Sequence, residues 1–499
     1  MQGIRLAQLI PLVCGCVFGL LLLSQAVAET QTRDDLSAVD QQRVANVTQP
    51  ATQFSKPEKF ENKPAGAATT AWPANRHAFS QPQPNLSFEA RERFSLGNAL
   101  FRKLWVSSPA TTQASDGLGP LYNARGCQSC HVKDGRGHLA VSGEQASSFV
   151  LQLGRQDAEQ GVWFGDAHYG EQWQTVAVPG LRSEGSVDIT YTQRVVTFDD
   201  GEEVVLRDPN YSVQPSASIA LEEGVSLSPR IAPSMIGMGL LEAIAVADIL
   251  SLKDPHDDDE DGISGRASRI EMPDGSVRIG RFGLKAAKSG VLEQSAAAFF
   301  HDMGLSTSLH PQHAGECTPQ QEVCLSAPHG EQLRLGRFEV PDELLHLVAH
   351  YSRNLAPPSR RNIDDPDVLS GKQQFYQAGC IACHVPKFVT SRDAIAEEQR
   401  FQLIWPYTDL LLHDMGEGLA DGVGHNGGAT GREWRTPPLW GLGLTQVVNP
   451  RATYLHDGRA RTLMEAVLWH GGEAQEARDR VMSMSKQQRE QLVLFLESL

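Results

Sequence analysis

A mainly α chain with two small helical domains, the first carrying one β-rich insertion, is the architecture that these 499 residues predict. Three observations lead there. Cys127-Gln128-Ser129-Cys130-His131 and Cys380-Ile381-Ala382-Cys383-His384 are two distant copies of one motif. Each follows a stretch of helical periodicity in which a Gly stands four residues before a Phe: Gly97 and Phe101, then Gly371 and Phe375. Between the motifs, Val187 to Val196 and Glu203 to Leu206 are rich in Val, Ile, Thr and Tyr and flank Asp199-Asp200-Gly201, which is a hairpin signal.

The repeated motif has a specific chemistry. Two thiols three positions apart can each add across a haem vinyl group, and the His after the second Cys then lies beneath the iron as its axial ligand. A zinc site needs four protein ligands, and a thioredoxin-like pair needs no following His. Cys127, Cys130, Cys380 and Cys383 are therefore expected to hold two covalently bound c-type haems, with His131 and His384 as iron ligands. The two helical units then read as cytochrome c-like haem domains. A Gly and a Phe at this spacing are alone most often plain core. Beside a haem, the Gly permits close helix approach and the Phe packs near the porphyrin.

The length allows two or three cores, and 40% apolar with 21% charged residues is ordinary for a globular protein. A formal charge of -16 argues against nucleic acid or anionic lipid as a partner. Arg5, an apolar run through Leu23 and then Ala26-Val27-Ala28 read as a cleaved signal peptide over 1–28, with an uncleaved anchor as the alternative. Export to the periplasm fits, because c-type haem attachment and disulfides belong to an oxidising space. Cys14 and Cys16 leave with the signal. Cys317 and Cys324 remain, expected either as a disulfide whose short loop contributes about 2–3 kcal/mol at most, or as free redox thiols.

In chain order, residues 29–87 are rich in Gln, Thr, Ala, Asn and Pro and read as a flexible N-terminal region. The first haem domain is placed at 88–345, with Phe94, Leu100, Phe101 and Leu104 at helical spacing, a polar turn at Lys133 to Gly137, and the β-rich insertion at about 139–228 covering the haem. Asp257, Asp259 and Asp261 have the 1, 3, 5 spacing of a calcium loop with Gly262 at position 6. Position 12 is Ser268, so calcium and a solvated acidic turn both fit. A helix-like stretch from Val291 to Phe300 ends at His301-Asp302-Met303-Gly304.

The second haem domain is placed at 346–499. Thr462 reads as an N-cap, with Glu465 completing a capping box. Leu463, Val467 and His470 share one face of the short helix that follows. His470 is thus set to ligate a buried iron opposite His384, or to be a satisfied core His. A Ser-x-x-Gln box at Ser485 opens a terminal helix bearing Leu492, Phe495, Leu496 and Leu499.

Gly117 to Leu121, Cys127 to Gly137, Pro233 to Ile244, Asp261 to Arg266, Gly280 to Ala286, Pro406 to Gly416, Trp434 to Leu439 and His456 to Glu473 together resemble the di-haem oxidoreductases, also called thiol oxidoreductases, relatives of the bacterial di-haem cytochrome c peroxidases. The resemblance covers about Phe88 to Leu499. It implies an enzyme in which the C-terminal haem is six-coordinate and relays electrons to the N-terminal haem, where peroxide is cleaved. It places the relay haem's sixth ligand eight residues after Thr462, at His470. Two His ligands lower the potential relative to His/Met.

The peroxidases also use a distal Gln and Glu to move the peroxide proton. Gln294 and Asp302 are the matching candidates, with spacing two residues shorter and a carboxylate one methylene shorter. His301 could instead ligate the first iron, and His138 is a second contender. Partners implied are a small redox protein or quinol-linked donor and peroxide or another oxidisable substrate, with a homodimer and calcium as in relatives. Alternatives are a non-enzymatic di-haem electron carrier, or oxidation of a partner protein or of a metal ion such as iron.

Overall fold

The computed structural model describes residues 32–139, 148–157, 159, 161–331, 336–425 and 427–499. The expected signal peptide lies outside them. No helix of the described residues is long and apolar enough to cross a membrane.

The chain is mixed rather than mainly α. Helix accounts for 30% and strand for 17%, the strands forming six small sheets among the described residues, so the expected pair of cytochrome c-like domains is corrected. The reason is the length of the strands. Pairs such as Phe388–Val389 with Leu403–Ile404, or Leu412–Asp414 with Glu433–Arg435, are too short to show a period of two. Nor does the core divide at residue 345. Phe94, Phe101, Phe299 and Tyr351 belong to one buried cluster with Phe388, Leu410, Trp440 and Leu444. A second cluster gathers Phe375, Trp405, Tyr407 and Phe495.

Two helix pairs have the anticipated close approach. Helix Phe88–Phe101, capped by the Ser87 side chain, packs on Asp342–Arg353, and a Cβ at Gly97 would overlap the Leu347 carbonyl. Helix Pro366–Gln377 packs on Lys486–Ser498, where the Ser485–Gln488 capping box forms, and a Cβ at Gly371 would overlap the Gln491 carbonyl. The turn at Asp134 is not a solvated one. Its carboxylate is buried and accepts from Tyr351 Oη at 2.7 Å.

The β region has two parts with different jobs. Strand Phe149–Gln156 pairs with Ser226–Ile231, Trp163–Phe164 and Gln172–Trp173. The long hairpin Gly185–Thr197 with Glu203–Pro215 instead reaches the C-terminal part, where Arg489 meets Asp200 at 2.7 Å and Glu202 at 2.6 Å, and Tyr211 Oη donates to Asp457 at 3.0 Å. Residues 32–87 are likewise packed rather than loose. Helix Ala38–Thr48 opens them, and Glu61 is buried against Arg360 and, at 2.8 Å, Lys372. Composition alone could not show that these polar residues meet buried cations about 300 positions away.

Candidate functional site

Both motif histidines are held the same way. His131 Nδ1 lies 2.8 Å from the Pro233 carbonyl and His384 Nδ1 lies 2.9 Å from the Tyr407 carbonyl. Donation from Nδ1 to a carbonyl fixes the tautomer whose Nε2 is a lone pair, the arrangement of a metal-ligating His. Burial pushes both imidazoles down to about 4, so they are neutral at physiological pH. The repeated Phe completes each holder: Phe101 is 6.1 Å from the His131 ring and Phe375 is 6.2 Å from the His384 ring.

One cavity of about 970 Å³ runs past both motifs, and Cys127, Cys130, Cys380 and Cys383 line it. That is near the upper end of the roughly 300–1,000 Å³ usual for bound organic groups. Burial pushes the Cys127 and Cys380 thiols up to about 12, the reverse of a thiolate redox pair. Arg136 and Arg435 are buried in its wall. Among the described residues their guanidinium groups donate only to backbone carbonyls, those of Thr453 and Leu455 for Arg136 and of Gly283 and Thr436 for Arg435. No carboxylate of the described residues comes within ion-pair distance of either, and burial pushes both down to about 10. A buried cation in no ion pair is costly even with Asp457 within electrostatic reach of Arg136 and Asp409 of Arg435, so this cavity favours anionic groups, which haem propionates would supply. Trp440 Nε1, buried in the same wall, has no acceptor among the described residues. The donor set therefore fits haem.

His470 lines the same cavity as His384. The Thr462 hydroxyl caps helix Leu463–Leu468 by accepting from Glu465 N at 3.1 Å, although Glu465 turns its own carboxylate to Arg461 rather than completing the box. His470 follows the helix with Nδ1 2.8 Å from the Ala466 carbonyl, so its Nε2 is the free lone pair. Burial lowers its basicity, and it lies within electrostatic reach of His384.

The wall associated with the first motif is different. Gln294, His301 and Asp302 come from helix Val291–Met303 and all line the cavity. Gln294 and His301, seven residues apart, share one helix face. Asp302 lies within electrostatic reach of Cys127 and Cys130, and burial raises its carboxyl above the usual range. Its Oδ1 accepts from Gln172 Nε2 at 2.9 Å. His301 Nδ1 is 2.7 Å from Glu316 Oε1.

A family model described as "Di-haem oxidoreductase, putative peroxidase" matches residues 60–159 and 156–499. The chain belongs to this di-haem oxidoreductase family. Among curated proteins no sequence matches it.

In this di-haem oxidoreductase, His138 is not among the cavity-lining residues; its ring meets the Asn449 side-chain amide at 3.1 Å. The acidic loop brings together Asp254, Asp257 and Asp259, while Asp261 caps Ile263 N instead of joining them. The β insertion contributes Val150, Gln152 and Trp163 to the cavity wall, whereas the long hairpin contributes none of the lining residues. Cys317 and Cys324 are bridged, with Cα atoms 5.9 Å apart.

Two groups escaped sequence reasoning. Glu316 meets His301 only because the chain doubles back after the helix. His413 sits beside Cys383, its Nδ1 3.7 Å from the sulfur and 2.6 Å from Glu473, with Nε2 2.7 Å from Asp409. Against the cost of burial, hydrogen bonds to Asp409, Cys383 and Glu473 hold it far above its usual value. The Asp409-to-His413 spacing within the Pro406 to Gly416 motif was the available signal.

Proposed function

We propose that this di-haem oxidoreductase is an exported, periplasmic c-type enzyme that reduces peroxide, or uses it to oxidise another substrate, with electrons passing from the His384 site to the His131 site. The observation that supports it is the asymmetry of the cavity wall: His470, its Nε2 left free, lines the cavity and lies within electrostatic reach of His384, while the wall near the first motif has hydrogen-bonding and acid–base groups, Gln294, His301 and Asp302. Cys127 and Cys130, and Cys380 and Cys383, would hold the haems, with His131, His384 and His470 as iron ligands. Bound there, haem supplies one-electron storage and an iron at which an O–O bond can break. The Gln294 amide orients peroxide, and the acid–base groups move its proton. The balance is H2O2 plus two electrons and two protons to two waters. A small redox protein or quinol-linked donor of low potential supplies the electrons.

A second reading, a di-haem electron carrier, draws on the anchored Nδ1 of His301, which would suit an iron ligand too. Mixing the fully reduced protein with one equivalent of peroxide separates them. The enzyme reading expects both haems to be reoxidised by that single equivalent. A reduced protein that peroxide leaves unchanged contradicts it.

A further inference from the structure

We propose that His301, held by Glu316, is the residue that takes and returns the peroxide proton, with Glu316 its positioning residue and Asp302 an anchor of the helix end; this rests on the peroxide reading above. The pair has the form of an acid–base residue and its orienting group: Nδ1 is committed to Glu316 Oε1 at 2.7 Å, and Nε2 is the remaining nitrogen of a ring that lines the cavity.

Glu316 is itself fixed from several sides. Gln174 Nε2 donates to Glu316 Oε2 at 3.3 Å and to the His301 carbonyl at 2.9 Å, so one amide holds both partners in register. The next residue, Cys317, is bridged to Cys324. Within that small loop, Thr318 Oγ1 donates to the His168 carbonyl at 2.8 Å and Gln321 Nε2 donates to Glu184 at 2.8 Å. The disulfide loop and the β insertion thus acquire a purpose: they bring a carboxylate to the back of a cavity histidine. Glu171, Asp302 and His310 also face it.

Asp302 is engaged otherwise. Its carbonyl accepts from Asn123 N at 2.9 Å and Ala124 N at 3.0 Å, and its carboxylate accepts from Gln172, whose amide also binds the His301 carbonyl at 3.0 Å. These bonds pin the end of helix Val291–Met303 to the neighbouring loop and sheet. In the proposed step one peroxide oxygen gives its proton to His301 Nε2, and Nε2 returns it to the other oxygen as the O–O bond breaks. Bound haems would supply the two electrons and solvent the two further protons, leaving two waters.

Hydrogen cyanide tests the proton transfer without turnover, because it must surrender its proton to bind ferric iron as cyanide. Imidazole, which binds through a lone pair, reports iron access alone. In the oxidised di-haem protein, His301→Gln is expected to slow cyanide association by about 10²–10⁴-fold, the usual share of a general base, with imidazole affinity unchanged. Glu316→Gln is expected to slow it by about 10-fold, a fraction of that share, and Glu316→Asp to recover most of the loss. Cyanide association that accelerates in His301→Gln, with a low-spin signal turning high-spin, would make His301 an iron ligand and overturn the proposal. A loss confined to Asp302→Asn would overturn it in favour of Asp302. If His301→Gln does not fold, the Glu316 pair decides alone: equal rates in Glu316→Gln and wild type overturn the proposal. Slow peroxide turnover in a wild type whose cyanide binding still depends on His301 would count against the peroxide reading and leave the pair standing.

Discussion

Around His131 and around His384 the chain repeats itself, from the Gly that lets two helices touch to the Phe 6.1 or 6.2 Å from each imidazole and the carbonyl that takes each Nδ1. The opposing walls do not repeat. One presents His470 at a helix end; the other presents Gln294, His301 and Asp302, backed by Glu316. On the proposed reading, holding a haem is thus a local matter, encoded in one motif and the helix before it. What its iron can do is set by residues far along the chain.

Removing a holder should have the largest effect. Cys127→Ser with Cys130→Ser, and separately Cys380→Ser with Cys383→Ser, are each expected to cut covalent haem from two per chain to one, read by mass spectrometry of the denatured protein. Two haems retained in either variant would break the symmetry of the holders. Next, His470→Met should raise the potential of one haem and leave the other nearly unmoved, because Met/His ligation favours the reduced iron. Redox titration followed by visible absorption checks this, and equal shifts in both haems would blur the distinction between walls.

The helix contacts come third. Gly97→Ala and Gly371→Ala each place a methyl against a backbone carbonyl, and each is expected to cost about 1–3 kcal/mol in denaturant unfolding. A neutral result at one position alone would show that only one holder depends on close approach.

The smallest effect concerns the support of the first wall. Burial pushes Glu184 up to about 8. An acid with its folded value raised binds more protons folded than unfolded, so its contribution to stability falls as pH rises from its unfolded range, near 4.5, through about 8. Glu184→Gln should therefore melt close to wild type at about pH 5 and above it at about pH 8. A difference that is the same at both values contradicts the buried neutral carboxyl.

How much of this was legible depended on distance along the chain. Each Cys-x-x-Cys-His motif with its Gly and Phe, and the place of His470 on an apolar helix face, could be read because each signal lies within one element and its neighbours; the role of His470 was what the resemblance implied. Gln294 and Asp302, with His301 between them as a candidate iron ligand, were legible along one helix-like stretch. Glu316 was not, since its partnership with His301 depends on the fold of a disulfide loop docked on a sheet. The mixed architecture was missed for a related reason: strands of two or three residues carry no periodicity, and the cavity wall they build is known only once they pair. Residues 32–87 show the same limit, because polar composition says nothing of the cations that Glu58 and Glu61 meet.

Low-temperature EPR of the oxidised protein, repeated after one-electron reduction, tests the asymmetry most directly. One high-spin and one low-spin ferric signal in the oxidised protein, or a high-spin signal from the iron that stays ferric after one-electron reduction, is expected, with the low-spin signal lost in His470→Ala. Only low-spin ferric signals in both states would mean that both irons are closed by the chain, and would contradict an open first site.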